Sequence, residues 1–111
     1  MEFIVKNDRM FDQIENFLKV AGDNTRIRIL YALLEKELCV CELQEEVGAS
    51  QSLISHQLSV LRNGGFVKKR KQGKHCYYFL SDDHVSQLLH LVYDHVICEH
   101  IEEEKDDECQ D

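Results

Sequence analysis

The sequence lacks the features that mark membrane-spanning, secreted and multidomain proteins. Its 111 residues contain no proline, no internal repeat and no low-complexity linker. No apolar run approaches the roughly 20 residues that a helix needs to span a bilayer. The N-terminal segment lacks the apolar stretch and cleavage site of a secretory signal, and the chain is too short for two ordinary hydrophobic cores. We therefore expect one domain that stays in the cytoplasm and does not enter a membrane.

The cysteine content argues against a disulfide framework. Five cysteines are an odd number, and disulfides rarely persist in a reducing compartment such as the cytoplasm. We therefore expect these residues to be free thiols or metal ligands.

Acidic residues are missing from one long segment, although the net charge of the chain is −8. Residues 51–80 contain six Lys or Arg and no Asp or Glu, whereas residues 99–111 contain eight acids and one Lys. A basic stretch without acids is typical of a surface that binds a polyanion. An acidic end is typical of a disordered, solubilising tail. We therefore expect a folded domain over residues 1–101 and a disordered tail over residues 102–111.

Hydrophobic periodicity predicts four helices, over approximately residues 8–20, 24–36, 40–47 and 51–63, with Ser50 capping the fourth. Two strand-like segments at 66–70 and 75–80 then predict a β-hairpin with a basic tip. A last amphipathic helix follows, capped by Ser81 or Asp82. The apolar residues at helical spacing in the first four helices are Phe11, Ile14, Leu18, Ala21, Ile27, Leu30, Leu34, Val40, Leu43, Val47, Ile54, Leu58 and Leu61. This order predicts a mainly α fold with a β-hairpin wing, a winged helix-turn-helix.

The third and fourth helices have the dimensions of a helix-turn-helix, because only residues 48–50 separate them. In that motif the start of the second helix enters the major groove of DNA. Here that start is polar and free of acids, and the basic hairpin follows it. The residues expected to contact double-stranded DNA are Gln51, Ser52, Ser55, His56, Gln57, Arg62, Arg70, Lys71 and Lys74. The alternative is an interaction module of the same fold that touches no DNA.

The last helix carries a stripe of residues at spacings of 4, 3, 4 and 3, namely His84, Leu88, Leu91, His95 and Cys98. His84 and His95 are about 16 Å apart along a helix axis, so one metal ion cannot bind both within a single chain. An antiparallel copy of the helix would place His84 opposite His95 of the partner subunit. Asp82 and His84 of one chain, with His95 and Cys98 of the other, would then form a tetrahedral site for zinc or cadmium. Two-fold symmetry would give two such sites per dimer. The alternative is that both histidines are ordinary polar members of a helix seam and that Asp82 is only a cap.

Features of an enzyme are missing from the sequence. There is no glycine-rich phosphate loop, no nucleophile elbow and no general base beside the His and Asp cluster. A closed site with four protein ligands would also leave no position for a substrate. We therefore do not expect catalysis.

Four segments, at residues 23–30, 37–43, 55–58 and 71–78, resemble the ArsR/SmtB family of metal-sensing repressors. The resemblance covers roughly residues 10–100. It implies a winged helix that forms a homodimer through its first and last helices. It also implies a repressor of metal-efflux or sequestration genes, which an inducer releases from operator DNA.

The resemblance implies two places where an inducer can bind. The zinc pattern on the last helix maps onto Asp82, His84, His95 and position 98. Cys98 departs from the usual Glu or His there, so the fourth ligand could instead be Glu99 or His100. The second pattern maps onto Cys39 and Cys41.

The second pattern is incomplete in this sequence. Arsenic sensors have a further cysteine at the position of Gln44, and residues 1–38 supply none. Only Cys109 of the tail could complete the set. We therefore expect a repressor regulated by zinc, cadmium or cobalt at the last-helix site. The alternative is a repressor that senses trivalent arsenic or oxidants through Cys39 and Cys41.

Overall fold

The computed structural model describes the backbone of residues 7–105 and the side chains of residues 7–98. It divides into two compact units, residues 1–81 and residues 82–111. The first unit contains the helices α1 (Asp8–Ala21), α2 (Asn24–Glu35), α3 (Val40–Val47) and α4 (Gln51–Asn63) and the strands β1 (Val67–Gln72) and β2 (His75–Leu80). The second contains α5 (Asp83–Lys105). This order confirms the predicted winged helix-turn-helix architecture.

Three helices of the first unit begin at a side chain that accepts a backbone N–H. The acceptors are Asn7 for α1, Asp23 for α2 and Ser50 for α4, and such caps satisfy N–H groups that have no partner within the helix. The Ser50 cap is the predicted one. Gly48 ends α3 at a φ of 77°, a left-handed conformation that a side chain would strain. The turn between α3 and α4 is therefore as short as the helix-turn-helix requires.

The core of the first unit lies among α2, α3, α4 and the hairpin. Ile54, Leu58 and Leu61 are buried, which confirms the predicted inner face of α4. The prediction for α2 was wrong in part, because Ile27 is 40% exposed and Ile29 and Leu33 are buried instead. Apolar residues of this helix occur on all of its sides, so periodicity alone cannot show which side faces the core. The buried apolar residues of the unit are Ile29, Leu30, Leu33, Leu38, Leu43, Ile54, Leu58, Leu61, Phe66, Val67 and Tyr78.

Helix α1 leaves its apolar stripe uncovered within the chain. Phe11, Ile14 and Leu18 are 43%, 44% and 58% exposed, although the helix has the predicted bounds to within one residue. Phe17 lies on another side, where its ring stacks on that of Phe66 at a centroid distance of 4.1 Å. The ring of Phe17 thus packs on the core while three large apolar side chains of the same helix remain in solvent.

The hairpin is attached to the loop before α3. β1 and β2 pair antiparallel from Val67 opposite Leu80 to Gln72 opposite His75. Leu38 and Tyr78 form an isolated bridge, with backbone N···O distances of 3.2 and 2.8 Å. β1 extends to Gln72, two residues beyond the prediction, because Gly73 at a φ of 64° permits a two-residue turn. The base of the hairpin is thus fixed, and its tip projects beyond that attachment.

Helix α5 starts at the cap that Asp82 provides, since its Oδ1 accepts the N–H groups of His84 and Val85 at 2.9 and 3.2 Å. The helix continues to Lys105, so the boundary expected at residues 101 and 102 falls within it. Glu and Lys favour helix, which accounts for this extension. Residues 106–111 of the expected tail lie outside the described residues.

Several large apolar side chains of α5 are exposed, namely Leu91, Val92, Tyr93, Val96 and Ile97. Over the part of the chain that the structure describes, no helix is both long and apolar enough to cross a membrane.

Candidate DNA-reading surface and metal ligands

The start of α4 presents polar side chains to solvent. Gln51, Ser52, Ser55 and His56 are exposed, as the sequence predicts, on the helix that follows the Gly48 turn. Each of these side chains can donate or accept hydrogen bonds, which is the chemistry that base edges in the major groove require. α4 contains no acidic residue that phosphates would repel. This surface is the part of the first unit best suited to reading DNA.

Gln57 corrects the predicted set of DNA-contacting residues. Its side chain is buried, with only 8% of the residue exposed, and it lies on the core side of α4. Its amide oxygen accepts a hydrogen bond from Arg26 Nη1 at 2.7 Å, and its amide nitrogen lies 3.4 Å from Asp23 Oδ2. The side chain of Gln57 therefore makes its hydrogen bonds within the protein, and Gln57 is not part of the exposed reading surface.

The hairpin cations differ in how they are engaged. Lys71 and Lys74 are exposed near the tip. Arg70 forms an ion pair with Glu37, with Nη2 and Nε at 2.6 and 2.9 Å from the same carboxylate oxygen. It also donates to Gln72. A phosphate would have to compete with these contacts, so Arg70 is a weaker candidate for DNA contact than the two lysines.

A basic concave surface lies at the end of α4. It is lined by Arg62, Asn63, Val67, Lys68, Lys69 and Phe79. Arg62 is among the residues expected to contact DNA, and Lys68 and Lys69 belong to the acid-free basic hairpin on which DNA binding is expected to depend. Positive charge therefore extends from the end of α4 along β1.

The ion pair between Glu37 and Arg70 leads to a testable prediction. Replacing Glu37 by Gln should free the guanidinium and remove a negative charge beside the hairpin, so DNA affinity should rise by a factor of about 2–5 at low salt. The salt dependence of binding should steepen, measured by fluorescence anisotropy of a labelled duplex. Glu35→Gln, which removes the same charge at the exposed end of α2, is the matched control. Equal effects of the two variants would show that only total charge matters and would refute the role of the ion pair.

The predicted metal ligands at the start of α5 lie close together. His84 Nδ1 is 3.7 Å from Asp82 Oδ1, and the two side chains are 91% and 57% exposed. Asp82 uses Oδ1 as the helix cap, but a carboxylate has a second oxygen that can bind a metal at the same time. An exposed imidazole beside a carboxylate is a chemically suitable half of a zinc site.

The other half of the predicted site lies on the same helix. His95 and Cys98 are exposed and one helical turn apart, so both can face one ion. Among the described residues of one chain, no three His, Cys, Asp or Glu side chains converge on a common point. The alternates Glu99 and His100 lie outside the residues whose side chains are described.

The cysteine pair of the second predicted site lies at the start of α3. Cys39 is the N-cap residue and is half-buried, and Cys41 is exposed. Glu42 Oε1 accepts the backbone N–H of Cys39 at 3.0 Å, and this bond lowers the pKa of the Glu42 carboxyl. Both residues are free thiols at the first turn of α3.

The fold and its exposed reading helix define a winged helix-turn-helix protein. Residues 23–69 match the family described as "Bacterial regulatory protein, arsR family". The chain is 42% identical over 84 residues to a transcriptional repressor SmtB homolog from Synechocystis, covering 76% of this chain and 64% of that protein. It is 42% identical over 83 residues to a cadmium resistance transcriptional regulatory protein CadC homolog from Staphylococcus aureus, covering 74% and 69%. The chain belongs to the ArsR family.

Solved structures of related proteins agree with this assignment. A homodimeric winged helix-turn-helix DNA-binding domain from Mycobacterium bovis superposes with a TM-score of 0.77 at 29% identity, covering 86% of this chain and 88% of that one. The ArsR family consists of transcription regulators and not of enzymes, which agrees with the prediction from the sequence.

Proposed function

We propose that this protein is a repressor that binds operator DNA as a homodimer and leaves it when zinc or cadmium binds between the last helices. The observation that carries the proposal is the exposed, acid-free start of α4 followed by the basic hairpin. The names of the relatives support it, since one is a transcriptional repressor and another a cadmium resistance regulator. Such a protein acts in the cytoplasm, where the DNA is.

The exposed apolar surfaces support a dimer. Three large apolar side chains of α1 and five of α5 are more than a third exposed, and exposed apolar patches on a helix mark interaction sites. The related domain from Mycobacterium bovis is described as homodimeric. A second copy of the chain, joined through its first and last helices, would cover the α1 stripe and the side of α5 that carries Leu91.

The donor set at α5 fits zinc or cadmium. One carboxylate, two imidazoles and one thiolate are ligands that both ions accept, and the thiolate favours cadmium. The separation of His84 and His95 along the helix requires that each site draw on two chains. Asp82 and His84 of one chain would hold the ion with His95 and Cys98 of the partner subunit, and the ion would tie the two last helices together.

Metal can release the protein from DNA only if it binds the free dimer more tightly than the DNA-bound dimer. A coupling free energy of about 1–3 kcal/mol is usual, which corresponds to about 5–150-fold in operator affinity. An ion that bridges the last helices stabilises the dimer conformation in which those helices have the orientation of the metal site. Release follows if this conformation binds DNA more weakly than the metal-free dimer does. No enzymatic step is involved.

The decisive experiment measures operator binding in the presence of each candidate inducer. A duplex selected by the protein from a random-sequence pool is labelled, and its anisotropy is followed while zinc, cadmium, cobalt or arsenite is added. We expect zinc, cadmium and cobalt to release the duplex and arsenite to have little effect. Selection of no duplex would support an interaction module that does not bind DNA, and the proposed function would be wrong.

Accessible thiols favour a second candidate, a repressor that senses trivalent arsenic or oxidants through Cys39 and Cys41. The double variant Cys39→Ser with Cys41→Ser separates the two functions. We expect it to keep zinc-driven release within about twofold of the unchanged protein. Neither cysteine belongs to the proposed zinc site, and the reading helix is capped by Ser50 and not by either thiol. His84→Ala, which should lose release, is the comparison. A requirement for the cysteines, with dispensable histidines, would establish the second candidate.

A further inference from the structure

Among the residues whose side chains the structure describes, Gln57 is the only buried one with a polar side chain apart from Tyr78, and it is 8% exposed. It follows Ser55 and His56 directly, so it lies on the same helical turn as two residues of the reading surface. A buried amide must have its hydrogen bonds satisfied inside the protein.

The partners of Gln57 fix the orientation of its amide group. The oxygen accepts from Arg26 Nη1 at 2.7 Å, and the nitrogen donates to Asp23 Oδ2 at 3.4 Å. A guanidinium can only donate and a carboxylate can only accept, so no flipped amide satisfies both. The same Asp23 oxygen accepts the backbone N–H of Arg26 at 3.1 Å and so caps α2. We call Asp23, Arg26 and Gln57 the Gln57 anchor.

Arg26 connects the Gln57 anchor to α1. Its Nε donates to the carbonyl oxygen of Val20 at 2.6 Å, in the last helical turn, where carbonyls have no partner within the helix. The planar guanidinium makes this bond and the bond to Gln57 in one rigid geometry, which a lysine cannot reproduce. Gly64, just after α4, also lies against α1, since a Cβ there would be 2.9 Å from Val20 Cγ1.

The other buried residues of α4 are apolar, and apolar contacts have no direction. The Gln57 anchor therefore supplies the directional contacts that fix how far α4 is rotated about its own axis. A rotation of about 10° moves a side-chain atom about 6 Å from the axis by about 1 Å. Hydrogen bonds to base edges form over a range of only about 0.5 Å. A small rotation of α4 is thus enough to misplace Ser55 and His56.

We propose that Asp23, Arg26 and Gln57 are positioning residues that set the rotation of α4 and thereby the base preference of DNA binding. The proposal rests on the proposed function, since it presumes that α4 reads DNA. Because the anchor also joins α4 to α1, it links the reading helix to a helix of the proposed dimer interface. None of the three residues needs to touch DNA for this role.

The test compares sequence-specific with non-specific binding. The unchanged full-length protein selects a duplex from a random-sequence pool. Anisotropy then gives the Kd for this duplex and for a scrambled duplex of the same composition. Gln57→Met keeps the length of the side chain and removes both hydrogen bonds. Arg26→Lys keeps the positive charge and removes the planar guanidinium that donates to both Gln57 and Val20. It tests the proposal if the first variant does not fold.

A further variant is the control. Ile29→Val removes a methyl group from the core, three residues after Arg26 on α2, and leaves the anchor intact.

We expect Gln57→Met and Arg26→Lys to lower the ratio of the two affinities about tenfold, the effect of losing one good base contact. Affinity for the scrambled duplex and its salt dependence should be unchanged, because the phosphate-binding cations are intact. Ile29→Val should keep the original ratio at a temperature where it is folded.

Two results would overturn the proposal while the proposed function stands. One is an unchanged ratio in folded Gln57→Met or Arg26→Lys protein. The other is an equal decrease of the affinity ratio in Ile29→Val, which would show that the anchor affects discrimination only through the stability of the core. If the unchanged protein selects no duplex, the proposed function fails and the positioning role fails with it.

Discussion

Mixed dimers made of one His84→Ala chain and one His95→Ala chain should bind close to one zinc ion tightly, whereas neither mutant homodimer should bind any tightly. In the proposed dimer, each site takes His84 from one chain and His95 from the other. One site of the mixed dimer then contains both substituted positions and is lost. The other contains both intact histidines and survives. Each mutant homodimer lacks one of the four ligands in both of its sites. It should therefore bind zinc several orders of magnitude more weakly than the unchanged dimer.

The mixed dimer can be isolated with two affinity tags, and its zinc content measured by competition with a chromophoric chelator. His90→Ala is the matched control, because His90 is exposed on the same helix but outside the stripe. It should leave two sites per dimer. If each chain built its own site, both sites of the mixed dimer would be damaged, and the absence of tight zinc would refute the intersubunit arrangement.

Neutralising the hairpin tip should weaken DNA binding strongly and without regard to sequence. Lys71→Ala with Lys74→Ala removes two exposed cations from each chain and so four from the proposed homodimer, which should reduce the magnitude of the slope of log K against log[salt] by about 3.6. Near 0.1 M salt this corresponds to a loss of affinity on the order of a thousandfold. Selected and scrambled duplexes should be affected equally, since phosphate contacts carry no base preference.

The matched control for the hairpin variant is Arg28→Ala with Lys36→Ala, which removes the same charge from α2 and from the residue that follows it. It should change the slope by much less, because these residues lie on neither α4 nor the hairpin. Anisotropy titrations at several salt concentrations give all the slopes. A shallow salt dependence of the unchanged protein would contradict the assignment of the basic segment to phosphate binding.

Local signals were sufficient to predict the elements of the fold. The cap at Ser50, the glycine that ends α3 and the change of period after Gly64 each act within a few residues. The faces of the helices were harder to predict. The stripe of α1 has clear helical spacing, yet Phe11 and Leu18 remain exposed in the single chain. Spacing shows that residues share a face and does not show what covers that face.

The candidate site was predictable where it depends on composition and not where it depends on distant partners. The exposed start of α4 and the basic segment follow from residue types alone. Gln57 was assigned to the reading surface because its partner Arg26 is 31 residues away in sequence, and the ion pair of Arg70 was not predicted because Glu37 is 33 residues away. Neither pairing leaves a periodic signal. The metal ligands could be proposed from spacing, but the proposed site requires a second chain, which spacing within one chain does not show.

The bridge between Leu38 and Tyr78 has a consequence for aggregation. It covers one edge of β2 at that point, so the open edge of the hairpin belongs to β1. β1 carries a run of four consecutive cations at residues 68–71, and charge of this kind on an edge strand prevents molecules from pairing edge to edge. The residues proposed to hold DNA phosphates therefore also oppose edge-to-edge pairing of hairpins from different molecules. A variant that loses these lysines gives up a safeguard against β-sheet assembly as well as affinity for DNA.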